Sequence, residues 1–225
     1  MAVVVFGAGG QARVLLEVME RSGIAPIAGI LDDDPALVGT RIDGVDVLGA
    51  IERLPSFCKV HHIQRAVIAV GDNITRQKLG EYARGMGLRL LSLVHPGTQV
   101  SKRAKIGEGT VIMAGAVVGP HAQVGDLCII NSNATVEHDC QLGDCVHIGP
   151  GAVLAGSVTV GDRAFVGAGA TIIQEICIGD EAMVGAGSCV IRDVQSRTTV
   201  VGCPARILEG RTGTVSEVAR EAAEI

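Results

Sequence analysis

Aromatic residues are nearly missing. The chain has no tryptophan, one tyrosine and three phenylalanines among 225 residues, 2% in all. The interior is left to aliphatic and small side chains, the filling a thin coil requires. Positive charge is not in excess either. Nineteen Lys and Arg against twenty-four Asp and Glu give a net charge of −5, which excludes broad electrostatic attraction to nucleic acid. No apolar run approaches the roughly 20 residues that span a bilayer. The opening Met1-Ala2-Val3-Val4-Val5-Phe6 lacks a basic n-region and runs into a glycine turn, so a first strand is expected there and not a signal peptide. Disulfide-scaffold spacing is absent as well. The seven cysteines, Cys58, Cys128, Cys140, Cys145, Cys177, Cys189 and Cys203, are odd in number, and reduced thiols in a cytoplasm are expected.

What the chain does have is a rhythm. Counted in sixes from Val100, a branched aliphatic returns sixteen times without a break, through Ile106, Ile112 and Val118 to Val184 and Val190. Four places after each stands a small or modest residue, from Ala104, Thr110 and Ala116 to Ser188 and Val194. An uninterrupted short repeat marks a solenoid. A period of six fits neither an amphipathic helix nor an alternating strand. It fits a short strand plus a corner, three to a coil, with both rows of side chains pointing inward. Cys128 and Cys140 fall on the second inward row and are expected to be small core fillers. At about 4.8 Å per layer the prism stands about 25 Å tall.

Gly107-Glu108, Gly125-Asp126, Gly143-Asp144, Gly161-Asp162 and Gly179-Asp180 recur every eighteen residues and are expected to stack as one corner column. Gly149-Pro150-Gly151, Gly167-Ala168-Gly169 and Gly185-Ala186-Gly187 form a second. Glycine is expected at these corners for the positive φ a sharp turn often demands. The third column is irregular and holds Glu137-His138-Asp139. The chemistry is expected there.

Before the repeat, Val3–Phe6, Ile27–Leu31, Ala66–Val70 and Leu88–Val94 read as strands. Helical spacing follows the first at Val14, Leu15, Val18 and Met19, and a second helix follows Gly71-Asp72-Asn73 to about Arg84. The alternation implies a small parallel α/β sheet. Gly7-x-Gly9-x-x-Ala12 after a strand, with Asp32 twenty residues beyond Ala12, fits the dinucleotide fingerprint. Its glycines admit phosphate close to the backbone at a helix N-terminus. The region is too short for a two-halved Rossmann domain and reads as a nucleotide recogniser. The expected division is a Rossmann-like domain over 1–95, the solenoid over 96–210 and a polar tail over 211–225.

His138 occupies the middle of its corner, so its ring projects away from the core, and Asp139 beside it would fix the tautomer and stabilise the imidazolium of a general base. Gly156, eighteen residues on, is expected one layer away, about 5 Å. Its N–H is placed to stabilise an oxyanion. His147 lies half a coil away on an outward position. His61, His62, His95 and His121 are expected to be structural or exposed. The spacing His138-x-Cys140-x4-Cys145-x-His147 looks like a zinc set. Cys140 points inward while His138 sits at a corner, so the four do not converge and no metal is expected.

The sixfold rhythm resembles the hexapeptide-repeat acyltransferases, whose fold is a left-handed parallel β-helix; the handedness comes from the resemblance. Taken with Gly7-Ala8-Gly9-Gly10, Leu31-Asp32-Asp33, Asn131, Val136-Glu137-His138-Asp139-Cys140, Ala155-Gly156 and Val201-Gly202-Cys203-Pro204-Ala205-Arg206, nearly the whole chain is similar to bacterial sugar acetyltransferases of a particular build. These join a small nucleotide-binding domain to the β-helix. They include the nucleotide-linked 4-amino-sugar N-acetyltransferases of bacillosamine and perosamine type, with sialic-acid O-acetyltransferases as close relatives. The resemblance implies His138 as general base with Asp139 raising its basicity. It implies acetyl-CoA against His147, Gly156, Gly167, Ala168, Gly185, Ala186 and Pro204. The nucleotide sugar would lie against Gly9, Gly10, Gln11, Asp32, Asp33 and Asn131. It also implies a homotrimer with acetyl-CoA in the groove between prisms. The chain departs from the family pattern twice: Gln11 stands where members often carry histidine, and Asp139 where several carry glutamate, a longer reach to the ring.

N-acetylation of an amino sugar is the leading expectation. O-acetylation of a sugar hydroxyl uses the same base and is not separated from it by sequence. A non-catalytic solenoid that binds nucleotide sugars is a third reading, and a nicotinamide oxidoreductase a distant fourth.

Overall fold

The computed structural model describes residues 2–208. The tail expected over 211–225 lies outside them. The chain divides into two compact units, Met1–Pro96 and Gly97–Ile225.

In the first unit the elements run β1 (Val3–Phe6), α1 (Gly10–Arg21), β2 (Ile27–Leu31), β3 (Arg41–Ile42), β4 (Val45–Gly49), α2 (Leu54–His61), β5 (Arg65–Ile68), α3 (Asn73–Gly85) and β6 (Arg89–Leu90). The sheet order is β3-β4-β2-β1-β5-β6. All neighbours are parallel except β3 and β4. β1 lies at the centre and is fully buried, which is why its four residues are apolar without alternation. α1 buries Ala12, Leu15, Leu16, Val18 and Met19 at helical spacing. Val14, counted in that stripe from sequence, is instead exposed.

The β3–β4 hairpin and α2 are not among the elements expected from the sequence. The signal for the hairpin was present: Asp43 and Gly44 both take positive φ, 45° and 84°, as the two-residue turn between Ile42 and Val45 requires. The strand expected over Leu88–Val94 is broken into β6 and a separate short strand, Leu93–Val94.

The second unit is a parallel β-helix of two-residue strands that return every six residues from Gln99–Val100 to Cys189–Val190. Partners are eighteen apart, as in Val118↔Val136↔Leu154↔Ile172 on the first face. The second face runs through Val124↔Leu142↔Val160↔Ile178 and the third through Ile130↔Ile148↔Val166↔Val184. From Ile112 to Val190 the sixfold aliphatics are at most 5% exposed, and their partners from Thr110 onward at most 8%. Polar members of the inner rows are satisfied across layers. The Thr110 hydroxyl donates to the Gly125 carbonyl at 2.7 Å, and the Cys128 and Cys140 thiols donate to the carbonyls of Gly143 and Ala155.

The corners correct one expectation. The left-handed residue is the third of each corner, and nine of the fourteen from Gly109 to Gly187 are side-chain-bearing: His121, Leu127, Asn133, Asp139, Cys145, Ser157, Arg163, Glu175 and Glu181. The recurrent glycines at the first corner position serve another purpose. A Cβ on Gly125 would lie 2.5 Å from the Gly143 carbonyl oxygen, and one on Gly167 2.5 Å from the Ala186 nitrogen. These glycines let successive layers stack. The aspartates that follow them form a ladder: the backbone N–H groups of Glu108, Asp126, Asp144 and Asp162 donate to the carboxylates of Asp126, Asp144, Asp162 and Asp180 at 2.8–3.0 Å.

The rhythm ends early. The sixfold count expects Val194 on the second inward row of the last hexapeptide. It pairs instead with Ile178, sixteen residues back, and Val184 pairs with Val200. Two residues are missing from this last coil. The Asp193 carboxylate accepts the Cys177 N–H at 2.8 Å in place of a lost carbonyl. A short antiparallel strand, Arg206–Ile207, then lies along Val200–Val201.

Candidate active site

In the first unit the loop after β1 is shaped as its glycines suggest. Gly7 has φ 96°, and a Cβ there would lie 2.8 Å from the Ala69 carbonyl oxygen. Gly9 and Gly10 face open space, with nothing within 4 Å of an added Cβ. α1 begins at Gly10 with no side-chain cap and no acid in its first turn, an arrangement open to an anion. Gln11 keeps its side-chain Nε2 buried with no hydrogen-bond partner among the described residues. The two aspartates build the loop. Asp32 accepts the Ala8 N–H at 2.6 Å and the Asp34 N–H at 2.8 Å, and Asp33 accepts the Ile51 N–H at 2.9 Å. They hold the glycine turn against the ends of β2 and β4, a role the spacing of the fingerprint does not reveal.

In the second unit His138 projects from the corner between the first and second faces. Its Nδ1 lies 2.8 Å from Asp139 Oδ2, so the shorter acid does reach the ring. Both side chains are more than half exposed, 58% and 56%. Asp139 can turn back to the ring because it is the left-handed residue of its corner, φ 59°. The imidazole lies over Gly156: a Cβ on that residue would stand 2.5 Å from the ring Cε1 and 2.6 Å from Nε2. Only glycine leaves room for the ring. Cys140, close by in sequence, is no nucleophile: it points inward, and burial pushes its thiol up from the ordinary value.

His147 sits on the outer side of the third face, paired in register with Ile129 and Phe165. Its Nε2 is 3.3 Å from Asn131 Nδ2, and its ring meets Phe165 edge-on at 5.0 Å. Gly167-Ala168 and Gly185-Ala186 stack at the corner between the third and first faces. The N–H groups of Ala168 and Ala186 have no partner among the described residues, unlike their counterparts on the aspartate ladder. Pro204 is exposed in the closing segment. The prism therefore brings His138, Asp139 and Gly156 together at one edge, and Asn131 with His147 elsewhere. It does not bring the two sets together within one copy.

A carboxylate-paired histidine on the edge of a hexapeptide β-helix, in a chain that also carries a glycine-loop α/β unit, defines a hexapeptide-repeat acyltransferase. A family model described as the PglD N-terminal domain matches residues 2–83, and one described as bacterial transferase hexapeptide (six repeats) matches 103–138 and 139–174. A histidine-to-asparagine variant of perosamine N-acetyltransferase from Caulobacter crescentus, in complex with CoA and GDP-perosamine, is 42% identical with a TM-score of 0.88, over 92% of this chain and 97% of that one. The acetyltransferase domain of PglB from Neisseria gonorrhoeae, in complex with acetyl coenzyme A, is 36% identical with a TM-score of 0.85, over 92% and 98%. UDP-N-acetylbacillosamine N-acetyltransferase from Bacillus subtilis is 41% identical over 114 residues, which span 50% of this chain and 51% of that relative. The chain belongs to the PglD-like family of hexapeptide-repeat N-acetyltransferases, and its second unit is a left-handed parallel β-helix.

Proposed function

We propose that the protein transfers the acetyl group of acetyl-CoA to the 4-amino group of a nucleotide-linked amino sugar, with His138 as general base. The observation that carries this is the His138–Asp139 contact at 2.8 Å above Gly156. With its proton on Nδ1 directed at Asp139, the ring offers the Nε2 lone pair outward. The amine attacks the thioester carbonyl carbon and gives a proton to Nε2. The C–N bond forms as the carbonyl becomes an oxyanion, for which the Gly156 N–H is a donor. Collapse breaks the C–S bond, and the imidazolium returns its proton to the departing thiolate. No acyl-enzyme is required, because thiolate is a good leaving group.

The acetyl-CoA reading is supported by the unpartnered Ala168 and Ala186 N–H groups, a repeating pair of donors on one edge. Gly167, Gly185, His147 and Pro204 complete that surface. Because this edge and the His138 edge differ, a complete site needs two copies side by side, and a homotrimer with the substrate between prisms meets that need. The nucleotide is assigned to Gly9, Gly10 and Gln11 on the loop that Asp32 and Asp33 brace, with Asn131 toward the sugar. The free thiols of the seven cysteines suit a cytoplasmic location. Among the described residues no helix is long and apolar enough to cross a membrane.

Thiol release from acetyl-CoA in the presence of GDP-, UDP- and dTDP-linked 4-amino sugars tests the reading. Turnover with one of them, and none with the matching 4-hydroxy sugars, is expected. Turnover confined to hydroxy sugars makes the protein an O-acetyltransferase, and no thiol release with any acceptor defeats both. Asp32→Ala should weaken nucleotide-sugar binding roughly tenfold, since the charge-assisted hydrogen bond from the Ala8 N–H, worth about 1.5 kcal/mol, no longer holds the glycine turn. Calorimetry reads this directly, and unchanged affinity would show that the loop does not hold the nucleotide.

A further inference from the structure

The closing segment carries a feature the transfer reaction does not use. Cys189 is the outer residue of the last strand on the first face, and Cys203 lies fourteen residues on in the segment that crosses it. The two main chains are tied on both sides of Cys203. The Cys189 N–H donates to the Gly202 carbonyl at 3.0 Å, and the Ala205 N–H donates to the Cys189 carbonyl at 2.7 Å. The Gly202 N–H is fixed in turn by the Ser188 hydroxyl at 3.1 Å. Cys203 is exposed and Cys189 half-buried. Burial, and then the neighbouring Cys203 thiol, raise the Cys189 thiol from its ordinary value. Among the other cysteines, Cys128, Cys140 and Cys145 are buried, and Cys177 is exposed on the second face.

We propose that Cys189 and Cys203 form a reversible intramolecular disulfide that staples the closing segment to the last coil. The oxidant is a peroxide or a low-molecular-weight disulfide. With a peroxide, the exposed Cys203 thiolate attacks oxygen and the O–O bond breaks, leaving a sulfenic acid and an alcohol or water. The Cys189 sulfur then attacks the Cys203 sulfur, the S–O bond breaks and water leaves with the Cys189 proton. Two electrons pass from the thiol pair to the peroxide. Because two hydrogen bonds already hold the two backbones together, closing the bond needs little further ordering of the chain, and a dithiol returns both thiols. The staple would hold Pro204, on the surface assigned to acetyl-CoA, in one position. The disulfide itself does not depend on that assignment.

The test uses the full-length protein, treated with hydrogen peroxide or with oxidised glutathione, alkylated, and mapped by non-reducing peptide mass spectrometry. Titratable thiols are expected to fall from seven to five, with a Cys189–Cys203 cross-linked peptide that dithiothreitol removes. C189S and C203S should each abolish the cross-link, while C177S keeps it. Stable oxidation products or glutathione adducts on Cys203, with no cross-linked peptide in the unsubstituted protein, overturn the proposal. A cross-link that survives in C203S overturns it as well.

Discussion

Replacing His138 by alanine is expected to lower kcat by roughly 10²- to 10⁴-fold, the range lost when a positioned general base is removed. That loss corresponds to about 3–5 kcal/mol of transition-state stabilisation. The side chain is 58% exposed, so the variant should keep its melting midpoint and its oligomeric state. KM for the nucleotide sugar should move little, because that ligand is assigned to another loop. Asp139→Asn keeps the size of the side chain while removing the charge that holds the ring, and a smaller loss is expected. A His138→Ala enzyme within about threefold of normal kcat would show that the amine needs no base from the protein, and proximity to the thioester would then carry the rate.

A second large effect concerns stability and comes from one corner. Gly149 and Gly151 are two residues apart. A Cβ on Gly149 would stand 2.7 Å from both the Ala168 nitrogen and the Val166 carbonyl oxygen, all of it backbone that cannot swing aside. Gly151 has φ 65° and nothing within 4 Å of an added Cβ. Judged by φ alone, Gly151 is the position that needs glycine. Judged by space, it is Gly149. Gly151→Ala should cost only the left-handed penalty, about 1 kcal/mol, which side-chain-bearing residues such as Leu127, Cys145 and Arg163 already bear at the same corner position. Gly149→Ala forces two layers apart and should cost about 3 kcal/mol or more. Thermal melts of the two variants compare them directly, at about 2–4 °C per kcal/mol for a chain of this size. Equal shifts, or a larger shift for Gly151→Ala, would return the explanation to backbone conformation.

The same distinction explains what could and could not be seen in the sequence. The inner rows were legible because each layer repeats one physical demand, a branched aliphatic and a small residue every six positions. The glycine columns were visible too, but sequence does not separate a glycine needed for φ from one needed for a close approach. Val194 was misplaced for a related reason: an aliphatic residue satisfies either inward row, and the two-residue loss shows only in the pairing with Ile178. In the first unit the Asp43-Gly44 pair is a hairpin signal in the sequence, weaker than the glycine fingerprint. The His138 corner stands out in the sequence because a charged trio interrupts an otherwise regular column. The close approach of its ring to Gly156 needed coordinates, since an eighteen-residue separation predicts adjacent layers but not a ring standing where a Cβ would be. The structural work of Asp32 and Asp33 was hidden because a carboxylate that braces a loop and one that binds a ribose occupy the same place in the motif.

The shortened last coil has a consequence for the behaviour of many copies at once. A parallel tube with identical layers leaves a ready template at its open end, onto which another copy can pair and extend a fibre. Here the register slips by two residues, the aspartate ladder stops at Asp180, and Arg206–Ile207 runs antiparallel along Val200–Val201. An incoming tube would meet a strand of the wrong direction and a layer of the wrong length. That end of the described solenoid therefore offers no layer of matching register.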